Sequence, residues 1–262
     1  MMDRCASAAC TLPFRGRLPL PMTAPLWSAA LARAIERNAP SPAARYLQLA
    51  TVRPDGRPAV RTVVFRGLRP HPGRDDGGSS GDASTSTATP SPALAMVTDG
   101  RTSKVAHLAA NPAVEAAWYF PDTREQFRLG GRVTAVGEGC PDPALAAARA
   151  DVWAGLSPGV REWHVCPAPG SDRVRGADSE RMRGAGGRGG GAGPAAQVAA
   201  DGAGRPAGSA APSPSPSSRP HAHFTLLLLD IDSVDHVDLV ADTRHVWERA
   251  ASGDWTGREV WP

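Results

Sequence analysis

A short segment collects two cations and two hydroxyls at one point: DGRTSKVAHLAANP, residues 99–112, contains Arg101, Thr102, Ser103 and Lys104 in succession. Thr102 or Ser103 can serve as the N-cap of a helix that Asn111-Pro112 ends. Basic side chains at a helix N-terminus oppose the helix dipole, so an anion lying between Arg101 and Lys104 would remove that cost. N–H groups, hydroxyls and cations together are typical of a phosphate site. The alternative is an ordinary capped surface helix with solvated charges.

A second set of polar side chains lies on a predicted strand over residues 125–137. Along residues 124–129, alternation places Arg124, Gln126 and Arg128 on one face. These residues either face solvent or line a ligand that needs charge and hydrogen bonds. On a neighbouring predicted hairpin, Arg61 and Arg66 flank an apolar stretch, and alternation points them to opposite faces.

The sequence gives no indication of a nucleophile or acid–base pair supplied by the protein. No G-x-S-x-G motif is present, and His107 within the short helix is expected to pack or face solvent. The four cysteines have no C-x-x-C spacing, which argues against a disulfide framework and a metal site and favours a reducing compartment. We assign no catalytic residue and expect that a cofactor supplies any chemistry.

Composition divides the 262 residues into folded and unfolded parts. Residues 1–23 are predicted to be disordered or a transit segment, and residues 24–262 to form one domain. Two insertions, 69–92 and 168–220, contain few large apolar residues and are predicted to be disordered. Between Ser171 and Pro220, seven arginines face four acids, which accounts for the net charge of +3, so the folded part is neutral. A neutral domain without a long apolar run indicates neither a nucleic-acid nor a membrane partner.

The remaining segments predict mainly strands. Residues 46–52 and 59–66 form a hairpin, 93–98 leads into the short helix, and 114–120 pairs with 125–137. Further strands are predicted at 223–231, 236–240 and 244–249, and helices at 25–38 and 142–156. The first helix is expected to bury Leu26, Ala30, Ala34 and Ile35. Short hairpin-linked strands with a few packed helices predict a mainly β fold built on a small antiparallel barrel.

Four segments together resemble the pyridoxamine 5′-phosphate oxidase family, in its cyanobacterial and plant FMN-binding branch. They are RTVVFR (61–66), VTDGRTSKVAHLAANP (97–112), WYFPDTREQFRLGGRV (118–133) and RHVWERAASGDWTGREVWP (244–262). The resemblance implies a six-stranded antiparallel FMN-binding split barrel. It also implies a homodimer with FMN in the cleft between subunits.

The resemblance implies a role for each matching position. Arg61 would hold the FMN phosphate or ribityl chain, and Ser103 and Lys104, with the hydroxyl of Thr102, would bind the phosphate. Gln126 would bond the isoalloxazine ring, and Arg244 would contact the flavin. The residues expected to line the flavin are Thr62, Val63, Val64, Arg66, Val97 and Thr98.

The match departs from the family at the substrate end. Family oxidases hold the substrate phosphate with an R-L-H-D-R-like motif, where this chain has Thr243-Arg244-His245-Val246-Trp247. The leading hypothesis is an FMN-dependent oxidoreductase acting on pyridoxamine or pyridoxine 5′-phosphate. The alternatives are a flavin carrier or sensor without turnover and, less well supported, an RNA-associated protein using the Arg/Gly-rich segment. The expected location is the cytoplasm or an organelle.

Overall fold

The computed structural model describes residues 25–71, 92–172 and 219–262. The predicted N-terminal segment 1–23 and most of both predicted insertions, residues 72–91 and 173–218, lie outside the described residues. The predicted start of the first insertion is too early, because Arg69 is still the last residue of a strand.

The described residues form eight strands and four α-helices. The helices are α1 (Leu26–Arg37), α2 (Ser103–Ala110), α3 (Pro143–Ala154) and α4 (Pro158–Glu162). The strands are β1 (Tyr46–Val52), β2 (Pro58–Arg69), β3 (Ala93–Asp99), β4 (Ala113–Phe120), β5 (Glu125–Val136), β6 (Phe224–Asp238), β7 (Thr243–Arg249) and β8 (Trp255–Val260). No helix among them is long and apolar enough to cross a membrane. Nor do these ranges hold a metal-ligating group of three or more His, Cys, Asp or Glu side chains.

Six strands close into the predicted antiparallel barrel. The order is β3-β2-β1-β4-β5-β6, and pairing of β3 with β6 completes the ring. β7 and β8 extend the sheet beyond β6 as a hairpin. The antiparallel barrel predicted from the strand pattern is confirmed, and so is the strand number that the family resemblance implied, whereas β8 was not predicted.

The longest strand corrects the prediction of separate strands at 223–231 and 236–240. β6 runs unbroken for 15 residues and pairs along its length with β5. Its other edge pairs first with β3, from Phe224 to Leu229, and then with β7, from Ser233 to Asp238. A bulge where β6 passes Gly130 and Gly131 maintains the pairing. A Cβ on Gly131 would collide with the Asp230 carbonyl, so this position requires glycine.

The barrel interior is filled by large apolar side chains, including Trp118, Phe120 and Phe127. α1 covers one opening, because Trp27 and Leu31 are fully buried in the same cluster. Ala30 and Ala34 are buried as predicted, but Leu26 is 79% exposed because the buried face of α1 is centred on Trp27 and Leu31.

A second apolar cluster lies outside the barrel, where α3 and α4 pack on β3 and β6. Arg149 of α3 is buried there and donates to the carbonyls of His221 and Phe224. His164 packs edge-on against Trp153 and Phe224, and its Nδ1 has no hydrogen-bond partner among the described residues. Burial lowers the pKa of His164 to about 4, and the nearby Asp99 only partly offsets this.

The neutral His164 makes stability depend on pH. Between about pH 4 and 6.5 the unfolded chain binds a proton at His164 that the folded chain does not, so the free energy of unfolding falls as pH is lowered. The full change in the free energy of unfolding across this pH range is about 3 kcal/mol. We expect His164→Phe to remove most of this dependence in urea unfolding. Phe224→Leu is the control, because it disturbs the same cluster without changing a titratable group, and it should lower the free energy of unfolding equally at every pH. If the free energy of unfolding of His164→Phe changed with pH as steeply as that of wild type, His164 would not be the source of the dependence.

Candidate functional site

The two cations at the start of α2 have different partners. Thr102 is the N-cap, as predicted, but its side chain makes no capping hydrogen bond and donates instead to the Asp99 carbonyl. Arg101 forms a bidentate pair with the buried carboxylate of Asp99 and also donates to the Cys166 carbonyl. Arg101 therefore already has a counter-charge. The expectation that it shares an anion with Lys104 is not supported, because Asp99 neutralises it.

Lys104 has only neutral partners in the described structure. Its Nζ donates to the hydroxyl oxygens of Thr98, at 2.8 Å, and Thr102, at 3.1 Å. Thr98 is a buried residue one position before the end of β3, so β3 and α2 together fix the amine. Burial and the charge of Arg61 lower the pKa of Lys104, and the Asp99 carboxylate opposes them only in part.

Arg61 reaches the same region from β2. Its Nη1 donates to the Leu49 carbonyl at 3.0 Å and to the Thr51 hydroxyl at 2.8 Å, and both acceptors belong to β1. Thr51 is buried and also lies 3.1 Å from Nδ1 of His107 on α2. Burial and the neighbouring Arg53 lower the pKa of Arg61.

These contacts define a candidate anion site made of Arg61, Thr98, Thr102 and Lys104, which is called the anion site below. Two half-buried cations lie close enough for the charge of one to lower the pKa of the other. Within the described part of the chain, neither hydrogen-bonds to a carboxylate. A low-dielectric site with like charges and no counter-ion is unfavourable until an anion enters it. The start of α2, whose cap lacks a side-chain acceptor, adds N–H groups.

The other residues predicted on β2 and β3 are not all brought to this site. Val63 is buried in the barrel, whereas Thr62 and Val64 alternate to the outer face. Arg66 lies at a bulge between β2 and β3. Two more residues with an expected flavin role differ in exposure. Val97 of β3 packs against the apolar cluster outside the barrel, whereas Ser103 is exposed at the first position of α2.

Gln126 and Arg244 form a second polar location. Gln126 of β5 and Arg244 of β7 are both paired with Val237 of β6, the strand between them. Their side chains therefore lie on the same, outer face of the sheet. Arg244 is held there by a bidentate pair with Asp235. Glu125, Phe127 and Leu129 alternate to the opposite face of β5 and are buried. Arg124 is not part of the alternation, since it precedes β5 in a turn with φ of 56°.

The sheet separates these two locations within one chain. Arg61 is paired with the buried Leu49, so its side chain leaves the sheet on the inner face of the barrel. The side chain of Gln126 leaves the sheet on the outer face. Arg61 lies on β2 and Gln126 on β5, three strand spacings or about 14 Å away around the barrel. One chain therefore does not bring all the predicted flavin contacts to one side of the sheet.

A cavity of about 580 Å³ lies beside the anion site, against another face of α2. Its walls include Val105, Leu108, Glu138 and His223, together with Arg101, but neither Arg61 nor Lys104. This cavity is thus distinct from the paired cations.

Sequence reasoning missed the two residues that decide the electrostatics. Asp99 neutralises Arg101, and Thr51 joins Arg61 to His107. Thr51 carried a signal, because it occupies an inward position of the alternating segment YLQLATV after Leu47 and Leu49.

Comparison with known proteins adds independent findings. Residues 24–137 match the family model described as pyridoxamine 5′-phosphate oxidase, FMN-binding domain. The chain is 32% identical over 235 residues to pyridoxine/pyridoxamine 5′-phosphate oxidase 2 of Arabidopsis thaliana, covering 90% of this chain and 93% of that protein. It is similar to the crystal structure of a pyridoxamine 5′-phosphate oxidase-related, FMN-binding protein from Nostoc punctiforme, with 31% identity, a TM-score of 0.66 and coverage of 92% and 100%. PhzG from Burkholderia lata, at 19% identity, TM-score 0.55 and coverage of 92% and 94%, shares the fold.

The contrast between Arg101 and Lys104 gives a test on the ligand-free protein. Lys104→Met removes a cation that faces Arg61 and the helix dipole, so we expect unfolding free energy in urea to stay unchanged or rise by up to about 1 kcal/mol. Arg101→Met leaves the buried Asp99 carboxylate without its partner and should lower stability. Equal losses for both variants would show that Lys104 is a structural cation.

Proposed function

This chain belongs to the pyridoxamine 5′-phosphate oxidase family, and we propose that it binds FMN and uses it to oxidise pyridoxamine or pyridoxine 5′-phosphate. The observation that carries the proposal is the anion site, in which Arg61 and Lys104 lie together without a described carboxylate partner. A phosphate monoester, which bears close to two negative charges near neutral pH, supplies the missing counter-charge.

The residues present fit the phosphate end of FMN. Lys104 would donate to a phosphate oxygen from one side and Arg61 from the other. The hydroxyls of Thr98 and Thr102 hold the Lys104 amine in position. Lys104 lies in the first turn of α2, where backbone N–H groups without a helical acceptor would add donors to the phosphate. Thr51 anchors the Arg61 guanidinium on β1. Bound flavin supplies the two-electron chemistry that no described side chain can perform.

The separation of Gln126 and Arg244 from the anion site supports a homodimer. A flavin held by phosphate at one chain's anion site cannot also meet that chain's Gln126, because the sheet intervenes. A second copy that presents the outer face of β5 to the first would supply Gln126 in trans. The partly exposed Tyr119, which is paired with Gln126, gives this face apolar surface for such a contact.

The substrate proposal follows the substrates for which the Arabidopsis relative is named. A flavin carrier without turnover remains the second candidate, and one observation favours it. Arg244, in the altered substrate motif, is already held by both oxygens of Asp235. A guanidinium engaged in a bidentate pair is less available for a substrate phosphate.

The phosphate contact is tested by comparing FMN with riboflavin, which lacks the phosphate. Lys104→Ala should weaken FMN binding by about ten- to a hundredfold, the value of a charge-assisted hydrogen bond, and should affect riboflavin much less. Arg61→Ala should weaken FMN similarly. Fluorescence titration measures both ligands.

Arg57→Ala is the matched control, since Arg57 is an exposed cation on the same β1–β2 hairpin and pairs with Asp55. Its FMN affinity should equal that of wild type. If Lys104→Ala weakened FMN and riboflavin equally, the amine would not meet phosphate.

Turnover distinguishes the oxidase from the carrier. We expect pyridoxamine 5′-phosphate to bleach the bound flavin under anaerobic conditions, and oxygen to restore its absorbance with release of peroxide. Gln126→Leu should keep FMN bound but slow the bleaching, because an apolar neighbour disfavours the charge on the reduced ring. A yellow protein whose absorbance does not respond to the substrate would favour the carrier.

A further inference from the structure

We propose that Lys104 is a reactive amine of the FMN-free protein that forms a reversible imine with aldehydes carrying a phosphate group. The inference rests on the phosphate-binding part of the proposed function, but it does not need the oxidase activity. It assigns a covalent modification site to a residue whose expected role is ionic.

The geometry of the anion site suits both the phosphate group and the aldehyde group of such a ligand. Lys104 Nζ is held between Thr98 and Thr102 by hydrogen bonds of 2.8 and 3.1 Å. The second cation, Arg61, lies near enough to act on Lys104 and is anchored by Leu49 and Thr51. A phosphate held by Arg61 and the α2 N–H groups would place an attached aldehyde beside a fixed amine. Holding two reactants together in this way raises their effective concentration.

The electrostatics favour the nucleophilic form of the amine. Burial and the Arg61 charge both lower the pKa of Lys104, which increases its neutral fraction at a given pH. The Thr98 and Thr102 oxygens accept hydrogen bonds but bring no negative charge that would retain the proton. Lysines desolvated next to another cation are the ones that form Schiff bases readily.

The step is balanced without an oxidant or reductant. The lone pair of the neutral Lys104 amine forms a bond to the aldehyde carbon, and the carbon–oxygen double bond opens. The oxygen then leaves as water with the two amine protons, and the imine nitrogen takes up one proton from solvent. Nothing is oxidised or reduced, and addition of water reverses the reaction.

The sequence makes the reaction unusually easy to assign. Lys104 is the only lysine among the 262 residues, and the other basic side chains of the Lys+Arg total of 29 are arginines. A chain that keeps its own N-terminus therefore offers one side-chain amine and one α-amine. FMN and the phosphorylated aldehyde would compete for the same cations, so flavin loading should protect Lys104.

The test uses the full chain stripped of flavin, with pyridoxal 5′-phosphate as the probe and pyridoxal as its phosphate-free counterpart. Borohydride traps the imine as a secondary amine, and peptide mass spectrometry locates it. We expect Lys104 to be labelled at least about tenfold faster by the phosphorylated aldehyde, with protection by FMN or inorganic phosphate but not by riboflavin. Lys104→Arg, which has no ε-amine, should lose the adduct, whereas Arg57→Ala, at an exposed cation outside the anion site, should be labelled at Lys104 as fast as wild type.

Other outcomes overturn the inference. Equal labelling by both aldehydes would show that the phosphate does not direct the reaction, and labelling confined to the α-amine would show that Lys104 is unreactive. FMN titration of the same preparations separates this failure from that of the proposed function. Normal FMN binding with an unreactive Lys104 rejects only the imine, whereas phosphate-protected labelling without FMN binding rejects only the flavin.

Discussion

The pairing of one strand with three neighbours is the constraint on which the molecule depends. β6 is bonded to β5 along one edge, while its other edge is shared by β3 and β7. Pairing with β3 closes the barrel and fixes the end of that strand at Asp99. α2 starts four residues later, so barrel closure decides where Lys104 lies relative to Arg61. The anion site is therefore a product of topology as much as of local sequence.

The electrostatics of the anion site depend on which cation the Asp99 carboxylate is paired with. Asp99 is a carboxylate whose charge acts on Lys104, but its two oxygens are occupied by Arg101. Arg101 in turn reaches across to the Cys166 carbonyl near the end of the α4 region. The Arg101–Asp99 ion pair thus stabilises the start of α2. Because both Asp99 oxygens are bonded to Arg101, Lys104 has no carboxylate as a hydrogen-bond partner in the described structure. Two cations three residues apart in the chain therefore differ in their partners, since Arg101 is paired with a carboxylate and Lys104 with two hydroxyls.

Much of the fold could be predicted from the sequence, because hydrophobic alternation is a local property. The segment YLQLATV matches β1 residue for residue, and the barrel follows from the succession of hairpins. β8 was missed because WTGREV has little apolar character to indicate a strand. β6 was divided because Asp232 and Ser233 interrupt its apolar run, and a bulge formed with a distant strand is not visible locally. The neutralisation of Arg101 is a different case, because Asp99 lies only two residues away, and the residue types alone do not show which of the two neighbouring cations that carboxylate binds. Lys104 was singled out from the residue types of its own segment, and the role expected of Arg61 came from the family resemblance.

The use of arginine for nearly every cation has a consequence at alkaline pH. The ion pairs across the sheet, such as Arg244 with Asp235 and Arg249 with Asp230, are built on guanidinium groups. A guanidinium group is a much weaker acid than an ammonium group, so arginine is the last cationic side chain to lose its proton as pH rises. The Lys104 amine, whose pKa is lowered, loses its proton well before them. Raising the pH therefore removes one charge from the anion site while the ion pairs between β6 and β7 persist. If the anion site binds a phosphate ester as proposed, alkaline pH releases that ester from a chain whose β6–β7 ion pairs are intact.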